Sequence, residues 1–167
     1  MTSPFPAEFK QRVGETRTYT APDPIGAAAF RYFARAVGDD NPLYSDAEFA
    51  ASVGYPSVIA PPTLVCETNQ YADVAPNEFG YAGHDWGFHI PGTRLLRGGN
   101  AYEFFESVTP SDVLTVTWTI ADITERTSSA GVPLLIIVSQ AEYRNQDGKL
   151  LVRNQETLII QPVGVTS

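Results

Sequence analysis

Leu114-Thr115-Val116-Thr117-Trp118-Thr119-Ile120 alternates an apolar with a polar side chain at every step. Successive side chains of a strand point to opposite faces, so this run buries one set and leaves the other polar. Antiparallel sheets with one wet face carry that pattern. The strand reads as Val113 to Glu125, and three further β-rich runs surround it: Arg94 to Val108, Pro133 to Asn145 and Leu150 to Gln161. Asp147-Gly148 between the last two is a hairpin signal, and Pro110-Ser111-Asp112 marks another turn. The last third of the chain is therefore an antiparallel meander.

Upstream the periodicity changes. Thr16 to Thr20 is a short polar strand, and Ile25 to Val37 carries apolar residues at helical spacing with Gly38 as its stop. Ser45 with Glu48 forms a capping box for a short helix over Asp46 to Ser52, closed by Gly54. Pro61-Pro62 opens a third helix, Thr63 to about Val74, because proline suits a first turn where its missing N–H has no partner to lose. Ala75 to Gly92, rich in Gly, Pro, Asn and Asp yet holding His84, Trp86 and His89, reads as a long ordered loop or flap. Helices followed by a meander make the class α+β. Residues 1–167 form one domain without internal repeats.

At 167 residues, 43% hydrophobic and 18% charged, the chain can build one soluble core. A formal charge of −8 argues against nucleic acid and anionic membrane surfaces as partners, which call for clustered Lys and Arg. The single cysteine, Cys66, excludes an internal disulfide. No basic leader followed by an apolar run is present, and no apolar stretch reaches membrane-spanning length, so the expected location is the cytoplasm.

Chemistry concentrates at Gly38-Asp39-Asp40-Asn41-Pro42-Leu43-Tyr44-Ser45-Asp46, where an acid, a carboxamide and a phenol share one turn just past a helix. With Ile59-Ala60-Pro61-Pro62-Thr63-Leu64 and the closing meander, this stretch has the order and spacing of a hot-dog domain. From about Val13 to Gln161 the chain resembles the MaoC-like dehydratase N-terminal-domain family, relatives of the (R)-specific enoyl-thioester hydratases. The resemblance implies an antiparallel sheet wrapped around one central helix, here Thr63 to Val74. It implies syn addition of water to a trans-2-enoyl thioester, or the reverse dehydration of an (R)-3-hydroxyacyl thioester. Coenzyme A or phosphopantetheine would belong to the substrate, with no separate cofactor and no metal.

Carried over by position, Asp39 matches the motif aspartate and Asn41 the asparagine, while Tyr44 falls where the family has histidine. A phenol titrates near ~10 and an imidazole near ~6.5, so tyrosine at neutral pH is a donor and a poor base. The family commonly has glycine at the Pro62 position, with its amide as an oxyanion donor. Proline has no N–H, which leaves Thr63 or Leu64 as substitutes. Both departures suit a degenerate half that completes a dimer, either a homodimer or a heterodimer with a catalytic MaoC-like subunit.

Several residues admit two readings. Asp39 and Asn41 are substrate-facing or simply close the turn. Tyr44 is an active-site hydroxyl or a packing aromatic. Glu67, on one side of the central helix with Thr63, Gln70 and Val74, is an interface carboxylate or the nucleophile or base of a thioesterase. Arg94 and Arg97 meet a coenzyme A or carrier-protein phosphate, or are solvated strand ends. His84 and His89, five apart without cysteines nearby, fit flap packing better than a metal. Three functions stay open: the hydratase or dehydratase component, a non-catalytic acyl-thioester-binding or structural partner, and a thioesterase.

Overall fold

Five antiparallel strands are joined by two hairpins, one long excursion from β1 to β2 and a crossover from β2 to β3 in this computed structural model, which describes residues 4–66, 68–78 and 80–163. β1 is Thr16–Thr20, α1 Ala27–Val37, α2 Ala47–Ser52, β2 Thr93–Phe104, β3 Thr115–Thr127, β4 Pro133–Arg144 and β5 Leu150–Pro162. The sheet order is β1-β3-β4-β5-β2, which leaves β1 and β2 at the edges. β3, β4 and β5 form the expected meander, with the Asp147-Gly148 hairpin joining β4 to β5; β2, expected as its first strand, instead crosses over to pair with β5. Among the described residues no helix is long and apolar enough to cross a membrane.

Register builds the inner face in rows. Trp118 lies opposite Ala141, Ala141 opposite Asn154, and Asn154 opposite Tyr102. One row along, Ile120 faces Ser139, Ser139 faces Glu156, and Glu156 faces Asn100. Directly paired residues share a face, so apolar rows of β3 and β4 run into a polar belt on β5 and β2. β2 bulges between Arg97 and Gly99. The extra residue keeps Arg97, opposite Leu158, on the same face as Asn100.

α1 packs Phe30 and Ala34 into the core and ends at Gly38, whose φ of 73° is the left-handed stop that the sequence predicts. Its first turn begins at Ala27 rather than Ile25, because Gly26 takes φ 77°. α2 is capped by Asp46, not Ser45: its Oδ1 accepts from the Glu48 and Phe49 amides at 2.9 Å each. A carboxylate one residue nearer the helix reaches two free N–H groups at once, which displaces the expected capping box. β2 ends at Phe104, earlier than the expected Val108.

The central helix departs most from expectation. In place of one helix over Thr63 to Val74 there are two 3-10 turns, Pro62–Cys66 and Asn69–Tyr71. Thr68 between them is extended (φ −112°, ψ −163°). Its hydroxyl bonds the Gln70 side-chain carbonyl, and the Gln70 amide donates to the Val65 carbonyl at 3.2 Å. Side chains here take up backbone and polar groups that a continuous helix would have paired along its axis. Leu64, Val65, Cys66, Gln70 and Tyr71 are nonetheless buried, so the segment still covers the sheet. Glu67 lies outside the described residues.

The described residues of the Ala75 to Gly92 segment pack onto the core, as expected of a flap. Trp86 and Phe88 are buried, and Phe88 meets Phe9 edge-on at 4.9 Å. Phe9 belongs to a 3-10 turn, Ala7–Arg12, for which the sequence carried no expectation. Arg12 from that turn donates to the Trp86 carbonyl at 2.7 Å and lies over the Phe88 ring, clamping the flap to the N-terminus.

Candidate active site

The motif turn is built by its own side chains. Asp39 Oδ1 accepts from the Asn41 amide, and Asn41 Oδ1 from the Leu43 amide, each at 3.1 Å. These are the local Asx bonds that close turns. The same turn also borders a cavity of about 330 Å³ lined by Asp39, Asp40, Asn41, Tyr44, Arg31 and Arg35. Closing the turn sets Asp39 and Asn41 at the rim of that cavity. Arg31 and Arg35, one turn apart on the exposed side of α1, join the motif residues at this cavity without a motif of their own. Their four-residue spacing just before the motif was the available signal.

Tyr44 is only 7% exposed. Burial raises its phenol above the ordinary 10, and the Asp39 charge raises it further against a hydrogen bond from Asn41 that pulls the other way. Removing a proton would place a second anion beside Asp39 in a poorly solvated spot. Tyr44 is thus a hydroxyl donor at neutral pH, further from a general base than an exposed tyrosine.

Pro62 begins the first 3-10 turn and brings no N–H to it. The Leu64 amide closes that turn on the Pro61 carbonyl at 3.0 Å. Thr63 is exposed, and no described carbonyl takes up its amide, so of the two substitutes it is the one open to a ligand. Pro62 lines a separate cleft of about 180 Å³ with Val65, Phe104, Phe105 and Val152. The motif groups and the turn that should polarise a thioester thus open into different cavities of this chain. Arg94 bonds Gln161 Oε1 at 2.8 Å near the far end of β2, roughly 30 Å of strand from Phe104. Arg97 pairs with Glu156 at 3.3 Å.

His84 is the residue whose place was least legible. Its ring stacks on Trp118 at 4.4 Å (7°) and meets Trp86 edge-on at 4.4 Å. Its Nδ1 shares a hydrogen bond with the Tyr19 hydroxyl at 3.2 Å. Both indoles are anchored in turn: Trp86 donates to Ser139 Oγ at 2.8 Å, and Trp118 to the Tyr71 hydroxyl at 2.9 Å. Burial first, then the Arg17 charge, holds the imidazole down from 6.5 to about 3, so it stays neutral. It faces a different cavity from Tyr44 and does not replace the motif histidine. His89 is exposed and lies 3.3 Å from Asp85.

The buried imidazole links stability to pH. Below 6.5 the unfolded chain gains a proton that the folded chain refuses until about 3. Stability is therefore full above that window and falls as pH drops through it, by at most ~1.4 kcal/mol per pH unit from this group. Glu15 and Glu142, whose carboxyls are held low mainly by hydrogen bonds from Arg12 and Arg144, add a slope of the same sign. His84→Gln is expected to flatten the His84 share alone. Urea midpoints of both proteins across that pH range check this; parallel profiles would contradict it.

Fold and motif together define a hot-dog domain of the MaoC-like dehydratase and hydratase class. A solved MaoC-like dehydratase from Rhodospirillum rubrum shares the fold at 20% identity and TM-score 0.64, over 92% of this chain and 94% of that one. A chain of the C-terminally truncated HadBC (3R-hydroxyacyl-ACP dehydratase) complex from Mycobacterium tuberculosis is 27% identical, with TM-score 0.62 over 86% and 95%. A UPF0336 protein of Streptomyces coelicolor is 37% identical over 84% of this chain and 86% of its own length. The family model described as "FAS1-like, dehydratase domain region" matches residues 11–154, and the chain belongs to that family.

Proposed function

We propose that this chain is the degenerate half of a heterodimeric (R)-specific enoyl-thioester hydratase or 3-hydroxyacyl-thioester dehydratase. Its substrates are coenzyme A or carrier-protein thioesters, and its partner is a MaoC-like subunit that carries the motif histidine. The observation behind this reading is Tyr44, buried at the histidine position with its proton held more tightly than usual. General-base catalysis asks for a group poised near the working pH, and this phenol is moved away from it. Pro62 removes the amide of the oxyanion position as well.

A partner also fits the exposed edge. β2 leaves Leu95, Leu96, Tyr102 and Phe104 open to solvent, with Phe105 beyond its end. An edge strand with apolar side chains on both faces invites pairing. The 27% identical chain comes from a structure that is itself a complex of an acyl-carrier-protein dehydratase.

The test follows loss of enoyl absorbance from trans-2-enoyl coenzyme A esters. Turnover is expected when this chain is co-purified with a histidine-bearing MaoC-like protein, and not from this chain alone. Turnover by the chain alone would overturn the degenerate role. Stable pairing that adds nothing to the partner's own rate would favour a purely structural one.

A further inference from the structure

The polar belt of the inner face closes around a small chamber of about 30 Å³, lined among others by Tyr71, His84, Asn100, Tyr102 and Asn154. Two buried atoms at its wall, His84 Nε2 and Asn154 Oδ1, have no hydrogen-bond partner among the described residues. Asn154 is 3% exposed and spends its amide on Asn100 Oδ1 at 3.1 Å. Buried polar atoms left open in this way are costly unless a guest completes them. The volume suits one oxygen-sized group.

The chamber is not isolated. Tyr81, His84, Arg97 and Glu156 also line an adjoining cleft of about 300 Å³ whose other walls include Phe88, Leu95 and Leu158. In the opposite direction Tyr102 stacks on Phe104 at 6.0 Å, and Phe104 lines the cleft at the Pro62 turn. An apolar chain laid along β2 from that cleft would pass Phe104 and meet the chamber at Tyr102.

We propose that this chamber binds a hydroxyl carried by the acyl chain. On the acyl-thioester reading above, from which this follows, the substrates are thioesters oxygenated well beyond the reacting carbons. In the tautomer whose Nδ1 accepts from the Tyr19 hydroxyl, His84 Nε2 carries the ring proton, and a bound hydroxyl accepts from it while donating to Asn154 Oδ1. A ketone only accepts and leaves Asn154 open. A carboxylate would lie beside Glu156, and an ammonium offers nothing to a His84 nitrogen that donates.

Trp86 and Trp118 are the only tryptophans, and both pack on His84, so their fluorescence reports the chamber directly. The full chain is titrated with acyl coenzyme A esters of equal length, with and without a hydroxyl at the far end, over a series of lengths. At a matching length the hydroxylated ester is expected to bind about tenfold tighter. Asn154→Leu is expected to abolish that preference while sparing the unsubstituted ester. His84→Phe, which keeps a ring in the stack, repeats the test should the first variant fail to fold. Equal binding of both esters at every length would overturn the hydroxyl site and leave the acyl-thioester role standing. A preference that survives both variants would overturn the location. No binding of either ester would overturn both readings.

Discussion

In the proposed heterodimer, Tyr44→Phe is expected to leave turnover within a few-fold of its starting value, whereas replacing the motif histidine of the proposed partner is expected to lower it by ~10²–10⁴. The asymmetry follows from what each group can do at neutral pH. A phenol held above its ordinary 10 by burial and by the Asp39 charge keeps its proton through the reaction. Removing its hydroxyl costs the hydrogen bonds it shares with Asn41 and Asp39, and no proton-transfer step. The partner's imidazole would be the group that takes and returns the proton of the attacking water. The check is kcat for both variants beside a circular-dichroism control for folding. A loss at Tyr44 as deep as that at the histidine would make Tyr44 a working acid and refute the degenerate assignment.

Trp118→Ala is expected to destabilise the chain by ~3–5 kcal/mol, the range for truncating a large buried aromatic. Trp118 is 6% exposed on the inner face of β3, between β1 and β4. Its loss removes the stack under His84 and the indole N–H that the Tyr71 hydroxyl accepts. Tyr71 sits on the second 3-10 turn, so the contact also ties the broken central segment to the sheet. Trp118→Phe keeps a ring and forfeits mainly one hydrogen bond, for about 1 kcal/mol. Urea unfolding of the three proteins separates the cases. A near-equal cost for Ala and Phe would mean that the hydrogen bond, and not packing, carries the effect.

Both outcomes bear on why a hot-dog sheet here does without a continuous helix. Aromatic and polar groups from the flap and the N-terminal turn stand where a long helix would lie. Arg12 and Arg17 reach the flap backbone, and His84 and Trp86 fill the face below.

Local pattern was enough for much of the fold. Alternation from Leu114 to Ile120, the Asp147-Gly148 turn and the Gly38 stop each depend on neighbours a few residues away, and each appears where the chain predicts it. The motif turn was legible for the same reason, since the bonds of Asp39 and Asn41 span two residues. The break at Thr68 was not. Proline at the start and helical spacing downstream favoured a helix, and only burial of Gln70 against Val65 and Thr68 made a different pairing better. Asn154 and Glu156 could be seen as polar intrusions at inward positions of β5, but not what they meet. Pairing register aligned them with Tyr102 and Asn100 on one side and with Ala141 and Ser139 on the other. His84 entered its aromatic stack through contacts across 34 residues to Trp118. Periodicity speaks for which face a side chain takes; which distant groups share that face is set by long-range packing alone.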